Sequence, residues 1–183
     1  MRKRVFLDMK LLDIGNTVER AVNNAAELGV SFLTVHGTDV KTMRAAVAGR
    51  GDRPLKLLAV TVLTNLTAED LIQQGCTMSP GDLAVHRAKL AHETGFDGVI
   101  ASGQEAERIR AATSPGFLIV TPGIRLAGGG AGDQARIMTP DRAISAGADY
   151  LVVGRPITEA SDAKVMADTF IRHIKEARAG RVI

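Results

Sequence analysis

The sequence of 183 residues is 45% hydrophobic, which is enough for one domain with a substantial core. Its 23 Lys and Arg against 20 Asp and Glu leave a net charge of +3 without a basic run, so no nucleic-acid groove is indicated; a small anionic ligand fits at least as well. The single cysteine, Cys76, excludes a disulfide framework within the chain and favours a cytoplasmic protein. No apolar run approaches the roughly 18 residues of a membrane span. Asp8 and Lys10 interrupt the apolar stretch behind the basic N-terminus, so no signal peptide is expected.

Predicted strands and helices alternate along the whole chain. Short apolar runs predict strands near 4–9, 31–36, 55–63, 97–101, 117–121 and 149–153. Helical periodicity predicts helices near 16–28, 38–48, 67–74, 80–94, 103–112, 139–146 and 163–178. A repeated pattern underlies this order, in which the end of a helix is followed by a C-cap glycine and an apolar strand; the glycines are Gly29, Gly95 and Gly147.

Six βα units predict an α/β fold of the (β/α)8 TIM-barrel type, with about six of the eight units present in this chain. The chain starts directly with a strand, so we expect residues 1–183 to form a single barrel domain that lacks the two N-terminal strands. An open doubly wound sheet is the alternative from counting alone. The absence of G-x-G-x-x-G after the first strand argues against it.

The segment RVFLDMKLLDIGNTV at 4–18 places charged residues on a predicted strand. Alternate side chains of a strand share a face, so we expect Phe6, Asp8 and Lys10 to point into the barrel. The helices would then cover the intervening side chains of Val5, Leu7 and Met9. An Asp and a Lys at an inward position are costly unless they are paired or functional. A structural ion pair and a catalytic pair are therefore both open interpretations.

Two segments after the last two predicted strands carry features of phosphate binding. Residues 121–140 form a Gly-rich stretch with Arg125 and Gln134, and backbone N–H groups freed by glycine can surround an anion. The later segment VVGRPI adds Gly154, which lets the backbone approach closely, and Arg155, whose guanidinium fits phosphate. Each alone could be an ordinary loop or turn. Their shared position, where such barrels commonly bind phosphate, predicts a phosphate site.

Histidine spacing supports no metal site, and all four residues are interpreted as structural or solvated: His36, His86, His92 and His173. Of these, His36 ends a predicted strand and could face the barrel mouth. Thr64, after the third predicted strand, is also expected to point toward the mouth.

Four motifs in this order resemble those of the orotidine 5′-phosphate decarboxylase family: FLDMKLLDIGNTV, AVTVLTNL, TPGIR followed by GDQARIMTP, and VVGRP. The likeness runs over essentially the whole chain. It implies decarboxylation of orotidine 5′-monophosphate to uridine 5′-monophosphate, the last step of pyrimidine synthesis, by a cytoplasmic enzyme without a metal or an organic cofactor. Neither nucleic acid nor a membrane is implied as a partner.

The resemblance also implies roles for individual residues. Lys10 matches the proton donor, Asp8 matches the carboxylate beside the substrate's carboxylate, and Thr64 matches a pyrimidine contact. Asp13 matches an aspartate donated into the neighbouring subunit's site, which implies a homodimer. Further substrate contacts match Asn16 and Thr17 in the signature loop and, on the phosphate side, Arg125, Gln134, Gly154 and Arg155.

Two departures from the family pattern bear on activity. Gly15 stands where many members have Pro, which reduces the rigidity of the loop. A ribose-binding aspartate and a second lysine, carried on the family's first two strands, have no counterpart in this sequence. Two further hypotheses therefore remain open beside the decarboxylase: a catalytically inactive fragment of that enzyme, and a related sugar-phosphate lyase or aldolase on the same barrel.

Overall fold

The computed structural model describes residues 3–128 and 136–180, which form six strands and eight helices. The strands are β1 (Phe6–Leu11), β2 (Phe32–His36), β3 (Lys56–Val60), β4 (Gly98–Ile100), β5 (Leu118–Thr121) and β6 (Tyr150–Leu151). The helices are α1 (Gly15–Glu27), α2 (Val40–Arg50), α3 (Ala68–Gln73), α4 (Pro80–Glu93), α5 (Ala106–Ala112), α6 (Pro140–Ser145), α7 (Arg155–Thr158) and α8 (Ala163–Ala179).

All six predicted strands and all seven predicted helices are present, and the differences lie at their ends. Strand β1 begins two residues later than predicted and continues to Leu11, while β3 ends at Val60 rather than at residue 63. Helix α7 was not predicted, because a helix of four residues leaves no periodic pattern in the sequence.

The six strands form one parallel sheet in the order β1-β2-β3-β4-β5-β6. The sheet is curled: the ring of Phe32 on β2 contacts the ring of Tyr150 on β6 edge-on, with centroids 5.5 Å apart, although three strands lie between β2 and β6. Consecutive strand order and curling confirm the TIM-barrel-type fold, seen here as a curled half-barrel. The doubly wound alternative is wrong, since its strand order reverses at a switch point.

Apolar side chains fill both sides of this sheet. On the convex side, helices α1, α2, α4 and α5 bury a large cluster that includes Val22, Leu33, Met43, Leu57, Ile109 and Ile119. On the concave side a smaller cluster joins neighbouring strands through Phe32, Leu58 and Val120. No helix within residues 3–128 and 136–180 is both long and apolar enough to cross a membrane.

Local signals in the sequence define where the helices begin and end. The predicted C-cap glycines Gly29, Gly95 and Gly147 have φ values of +70°, +89° and +113°, a backbone region that favours glycine. At helix N-termini, side-chain oxygens accept hydrogen bonds from the first-turn backbone of α2, α3, α4 and α8. The capped N-termini of α2 and α3 end the loops that follow β2 and β3.

Two aspartates of the sequence repeat connect neighbouring strands to the helix layer. Asp149, just before β6, accepts hydrogen bonds from Arg110 Nη2 at 2.6 Å and from the N–H of Ile119 on β5 at 2.8 Å. The same contacts recur before β4 and involve Asp97, Arg50 Nη1 and the N–H of Leu57. Each carboxylate thereby fixes the register of two strands and holds one helix against them.

Candidate active site

Strand β1 presents Asp8 and Lys10 through an irregularity in its pairing with β2. Leu7 lies opposite Leu33 and Leu11 lies opposite Val35, so three residues of β1 face one residue of β2. Lys10 occupies the left-handed region with φ +48°, which is uncommon for a residue with a side chain. Such a bulge redirects side chains locally, and here it brings Asp8 and Lys10 to the same point on β2.

The predicted alternation along β1 is only partly confirmed. Phe6, Asp8 and Lys10 line one cavity, as expected, and Leu7 packs against the convex core. The prediction that helices cover Val5 and Met9 is wrong, because these side chains are 50% and 57% exposed. Val5 precedes the strand, and Met9 lies within the bulge, where the simple two-residue period no longer holds.

A buried threonine on β2 organises the charged pair. The hydroxyl of Thr34, whose side chain is fully buried, donates to Asp8 Oδ1 at 2.8 Å and accepts from the backbone N–H of Lys10 at 2.9 Å. Lys10 Nζ donates to Asp8 Oδ2, so the two charges form an ion pair. The side chains of Asp8 and Lys10 remain 45% and 39% exposed. Thr34 therefore holds the pair on its buried side, and the exposed side is open to a ligand.

The charged pair faces a cavity of about 220 Å³ at the C-terminal ends of the strands, the face where enzymes of this fold carry their sites. Thr64 and Asn65, from the turn after β3, supply further polar groups. The remaining wall is mostly apolar and consists of Phe6, Val60, Val62, Leu63, Ile100, Ala101, Pro122 and Val152. The structure therefore brings together three of the predicted site residues, Asp8, Lys10 and Thr64.

His36, at the end of β2, is near enough to Asp8 and Lys10 for their charges to act on its imidazole. Burial lowers the pKa of His36, the positive charges of Arg87 and Lys10 lower it further, and Asp8 acts in the opposite direction. A neutral imidazole at pH 7 follows, because the ordinary pKa of histidine already lies below that value. Within residues 3–128 and 136–180, no three His, Cys, Asp or Glu side chains are placed to hold a metal ion.

The residues predicted around the start of α1 lie at the surface. Helix α1 begins at Gly15, and Asp13, Asn16 and Thr17 are all exposed. Asp13 Oδ1 accepts a hydrogen bond from the N–H of Ile14 at 2.7 Å, which fixes the carboxylate close to its own backbone. None of these side chains lines the 220 Å³ cavity.

Three of the predicted phosphate-side residues, Arg125, Gly154 and Arg155, are not among the residues that line the cavity. Arg125 is half-buried and donates to the carbonyl of Ile124 at 2.8 Å, while Gly154 and Arg155 are exposed at the start of α7. A Cβ added to Gly154 would meet no atom within 4 Å, so packing within the chain does not require glycine there. Gln134 lies outside the described residues.

One buried ion pair near the site was missed by the sequence analysis. Arg136 Nη1 lies 2.6 Å from Glu105 Oε1, and the two side chains are only 10% and 6% exposed. Arg136 Nη2 also donates to the carbonyls of Val62 and Leu63, at 3.3 Å and 3.1 Å. Burial raises the pKa of Glu105, and Arg136 opposes that effect. The partners are 31 residues apart in sequence, so no local pattern could pair them.

Comparison with known proteins gives consistent results. The family model described as "Orotidine 5'-phosphate decarboxylase / HUMPS family" matches residues 1–170. The orotidine 5'-phosphate decarboxylase of Rhodopseudomonas palustris (strain BisA53) is 55% identical over 172 residues, which are 94% of this chain and 73% of that protein. The protein of the same name from Nitrobacter winogradskyi is 53% identical over 175 residues, covering 96% of this chain and 72% of that one.

Solved structures agree with the sequence comparison. The crystal structure of orotidine 5'-phosphate decarboxylase from Lactobacillus acidophilus has a TM-score of 0.80 and 36% identity, covering 93% of this chain and 75% of that chain. The corresponding structure from Pyrococcus horikoshii OT3 has a TM-score of 0.70 and 26% identity, covering 94% and 74%.

Proposed function

The chain belongs to the orotidine 5′-phosphate decarboxylase / HUMPS family, and from this premise we propose that it converts orotidine 5′-monophosphate to uridine 5′-monophosphate in pyrimidine biosynthesis. The observation that carries the proposal is the Asp8–Lys10 pair, anchored by Thr34 and directed into a cavity of nucleobase scale. Curated relatives that are 50–55% identical bear the decarboxylase name, which favours this activity over a sugar-phosphate lyase or aldolase.

The proposed chemistry uses the two charges in different ways. Loss of carbon dioxide from the ring leaves a carbanion without an adjacent electron sink, so the site must stabilise the negative charge electrostatically. The ammonium of Lys10 supplies that stabilisation and then donates a proton to the same carbon. Asp8 orients the ammonium and, beside the substrate's carboxylate, disfavours the bound ground state relative to the transition state.

Binding of the rest of the nucleotide is assigned to the surrounding loops. Thr64 is proposed to contact the pyrimidine, which is supported by its position on the cavity wall beside the charged pair. Phosphate is assigned to Arg125, Gln134, Gly154 and Arg155. The open space around Gly154 supports this, since it lets an anion approach the backbone closely, and substrate contacts from Asn16 and Thr17 complete the proposed site.

We further propose a cytoplasmic homodimer of this single barrel domain over residues 1–183, in which Asp13 reaches the partner subunit's site. Asp13 is exposed and lies outside the cavity of its own chain. The neighbouring apolar side chains of Leu12 and Ile14 are 58% and 74% exposed. Apolar groups around an exposed carboxylate suit a surface that a second subunit covers.

The proposal is tested by following the ultraviolet absorbance of orotidine 5′-monophosphate with the purified protein, with and without a chelator. We expect chelator-insensitive turnover, which Lys10→Ala lowers by about 10²- to 10⁴-fold because the proton donor is lost. Lys89→Ala, at an exposed position of α4, is the matched control and should leave turnover unchanged.

Four other outcomes would count against parts of this proposal. Wild-type turnover by Lys10→Ala would remove Lys10 as the proton donor. A metal requirement would favour the lyase or aldolase. Calorimetry with uridine 5′-monophosphate separates the remaining cases: binding without turnover would favour the catalytically inactive alternative, and neither binding nor turnover would overturn the decarboxylase altogether.

A further inference from the structure

A single guanidinium connects three loops at the mouth of the half-barrel. Arg136 lies between β5 and α6. Its partner Glu105 lies in the turn after β4, where the N–H of Glu105 donates to the carbonyl of Ser102. The carbonyls of Val62 and Leu63, which accept from Arg136, begin the loop after β3. Three consecutive loops therefore share one buried cation.

The loop held from β3 is the one that carries polar groups into the cavity. Leu63 O accepts both from Arg136 Nη2 at 3.1 Å and from the N–H of Leu66 at 3.0 Å, which closes a tight turn. Thr64 and Asn65 occupy the centre of that turn and line the cavity. The carbonyl that Arg136 holds therefore lies in the same turn as both side chains.

Stability alone does not account for this pair. Burying a carboxylate and a guanidinium carries a large desolvation cost, and apolar residues of similar volume commonly do as well or better. The pair is also incompletely satisfied, since Glu105 Oε2 and Arg136 Nε have no hydrogen-bond partner within the described chain. The guanidinium of Arg136 donates hydrogen bonds to the carbonyls of Val62 and Leu63, and apolar side chains could not do so.

We propose that Arg136, oriented by Glu105, is a positioning residue that fixes the Leu63–Leu66 turn and thereby places Thr64 and Asn65 against the bound nucleotide. The nucleotide part of this inference rests on the proposed function. The fixing of the turn does not, so the two can fail separately.

The test uses three variants that differ in what they remove. Arg136→Met removes the donors and leaves Glu105 buried without its partner. Arg136→Met combined with Glu105→Leu removes the donors and also the buried charge. Arg108→Met is the matched control, because it removes an Arg–carboxylate pair of equal length, 2.6 Å to Asp82, that is about half exposed.

Hydrogen–deuterium exchange, read by mass spectrometry on peptides covering 62–68, reports on the turn directly. We expect exchange about tenfold or more faster in both Arg136 variants, as loss of a charge-assisted hydrogen bond implies, with wild-type exchange in Arg108→Met. The double variant should regain the melting temperature without regaining the slow exchange. A purely structural role of the ion pair predicts instead that the double variant regains the melting temperature and the slow exchange together. Wild-type exchange over 62–68 in the double variant would overturn the proposal.

Titration with uridine 5′-monophosphate then connects the turn to the ligand. We expect the double variant to bind about tenfold more weakly than Arg108→Met at similar stability, the effect of roughly one misplaced hydrogen-bonding group. Unchanged affinity together with faster exchange would remove the nucleotide part of the inference. If the wild-type protein does not bind the nucleotide, the proposed function fails, and the exchange experiment still decides whether Arg136 holds the turn.

Discussion

Replacing Thr34 by Val tests whether the threonine hydroxyl sets the geometry of the charged pair. Valine has nearly the same shape, but it cannot donate to Asp8 Oδ1 or accept from the N–H of Lys10. The backbone bond is worth about 1 kcal/mol and the bond to the carboxylate about 1.5–3 kcal/mol. Water reaches Asp8, which is 45% exposed, and replaces part of the second bond. We therefore expect a loss of about 2 kcal/mol, or roughly thirtyfold in turnover.

The assay is the initial rate of orotidine 5′-monophosphate consumption, measured together with the thermal midpoint by circular dichroism. Thr34→Ser is the matched control, because it keeps the hydroxyl and removes only a methyl group. We expect Thr34→Ser to retain most of the activity that Thr34→Val loses. The reasoning would be refuted if Thr34→Val turned over at the wild-type rate, or if both variants lost the same amount of activity.

Three further changes probe other parts of the molecule. Arg155→Ala should weaken substrate binding by about tenfold to a hundredfold. The assignment of Arg155 to phosphate would be contradicted if removing the phosphate from the substrate weakened binding as much in the variant as in the wild type. Gly49→Ala should destabilise the protein by about 1–3 kcal/mol in urea unfolding, since the added Cβ would lie 2.2 Å from a backbone oxygen of α1, while Gly116→Ala, with open space around it, should be neutral. Asp39→Ala removes the N-cap of α2 and should cost about 1 kcal/mol at pH 7. The hydrogen bond from Thr42 N–H lowers the pKa of Asp39, so this stabilisation exists above about pH 4 and is lost as the pH falls through the lowered pKa; equal stability of both proteins at pH 7 would contradict it.

The fold could be predicted because its signals are local and repeated. Each of three helix–strand boundaries carries a glycine where a helix must end in the left-handed region, as Gly29, Gly95 and Gly147 do. Continuous apolar strands between such boundaries leave few arrangements other than a parallel sheet covered by helices. Elements of two to four residues lack this redundancy, which explains why α7 was missed and why β6 was predicted to be longer than it is.

The candidate site was predictable only where its residues belong to one strand or one motif. Asp8 and Lys10 were identified by their spacing, but the bulge that turns both toward Thr34 depends on pairing with β2 and leaves no trace in β1 alone. The same limit applies to Arg136 and Glu105. These residues are 31 positions apart in sequence, and their contact forms only when three loops pack together. Contacts of this kind follow from tertiary packing, and sequence periodicity does not encode them.

The arrangement of the charged pair suggests how the site gains electrostatic strength. In the part of the chain that the structure describes, β1 is an edge strand that pairs with β2, and the positions of Asp8 and Lys10 depend on the bulge and on Thr34. Both charges are about two-fifths exposed, so solvent screens them while the cavity is open. In the proposed reaction, a nucleotide that fills the cavity would displace this water, and the interaction of the Lys10 ammonium with a developing carbanion would strengthen as the local dielectric falls. In the proposed function, binding energy from the phosphate assigned to Arg155 would contribute to catalysis by keeping the charged pair covered.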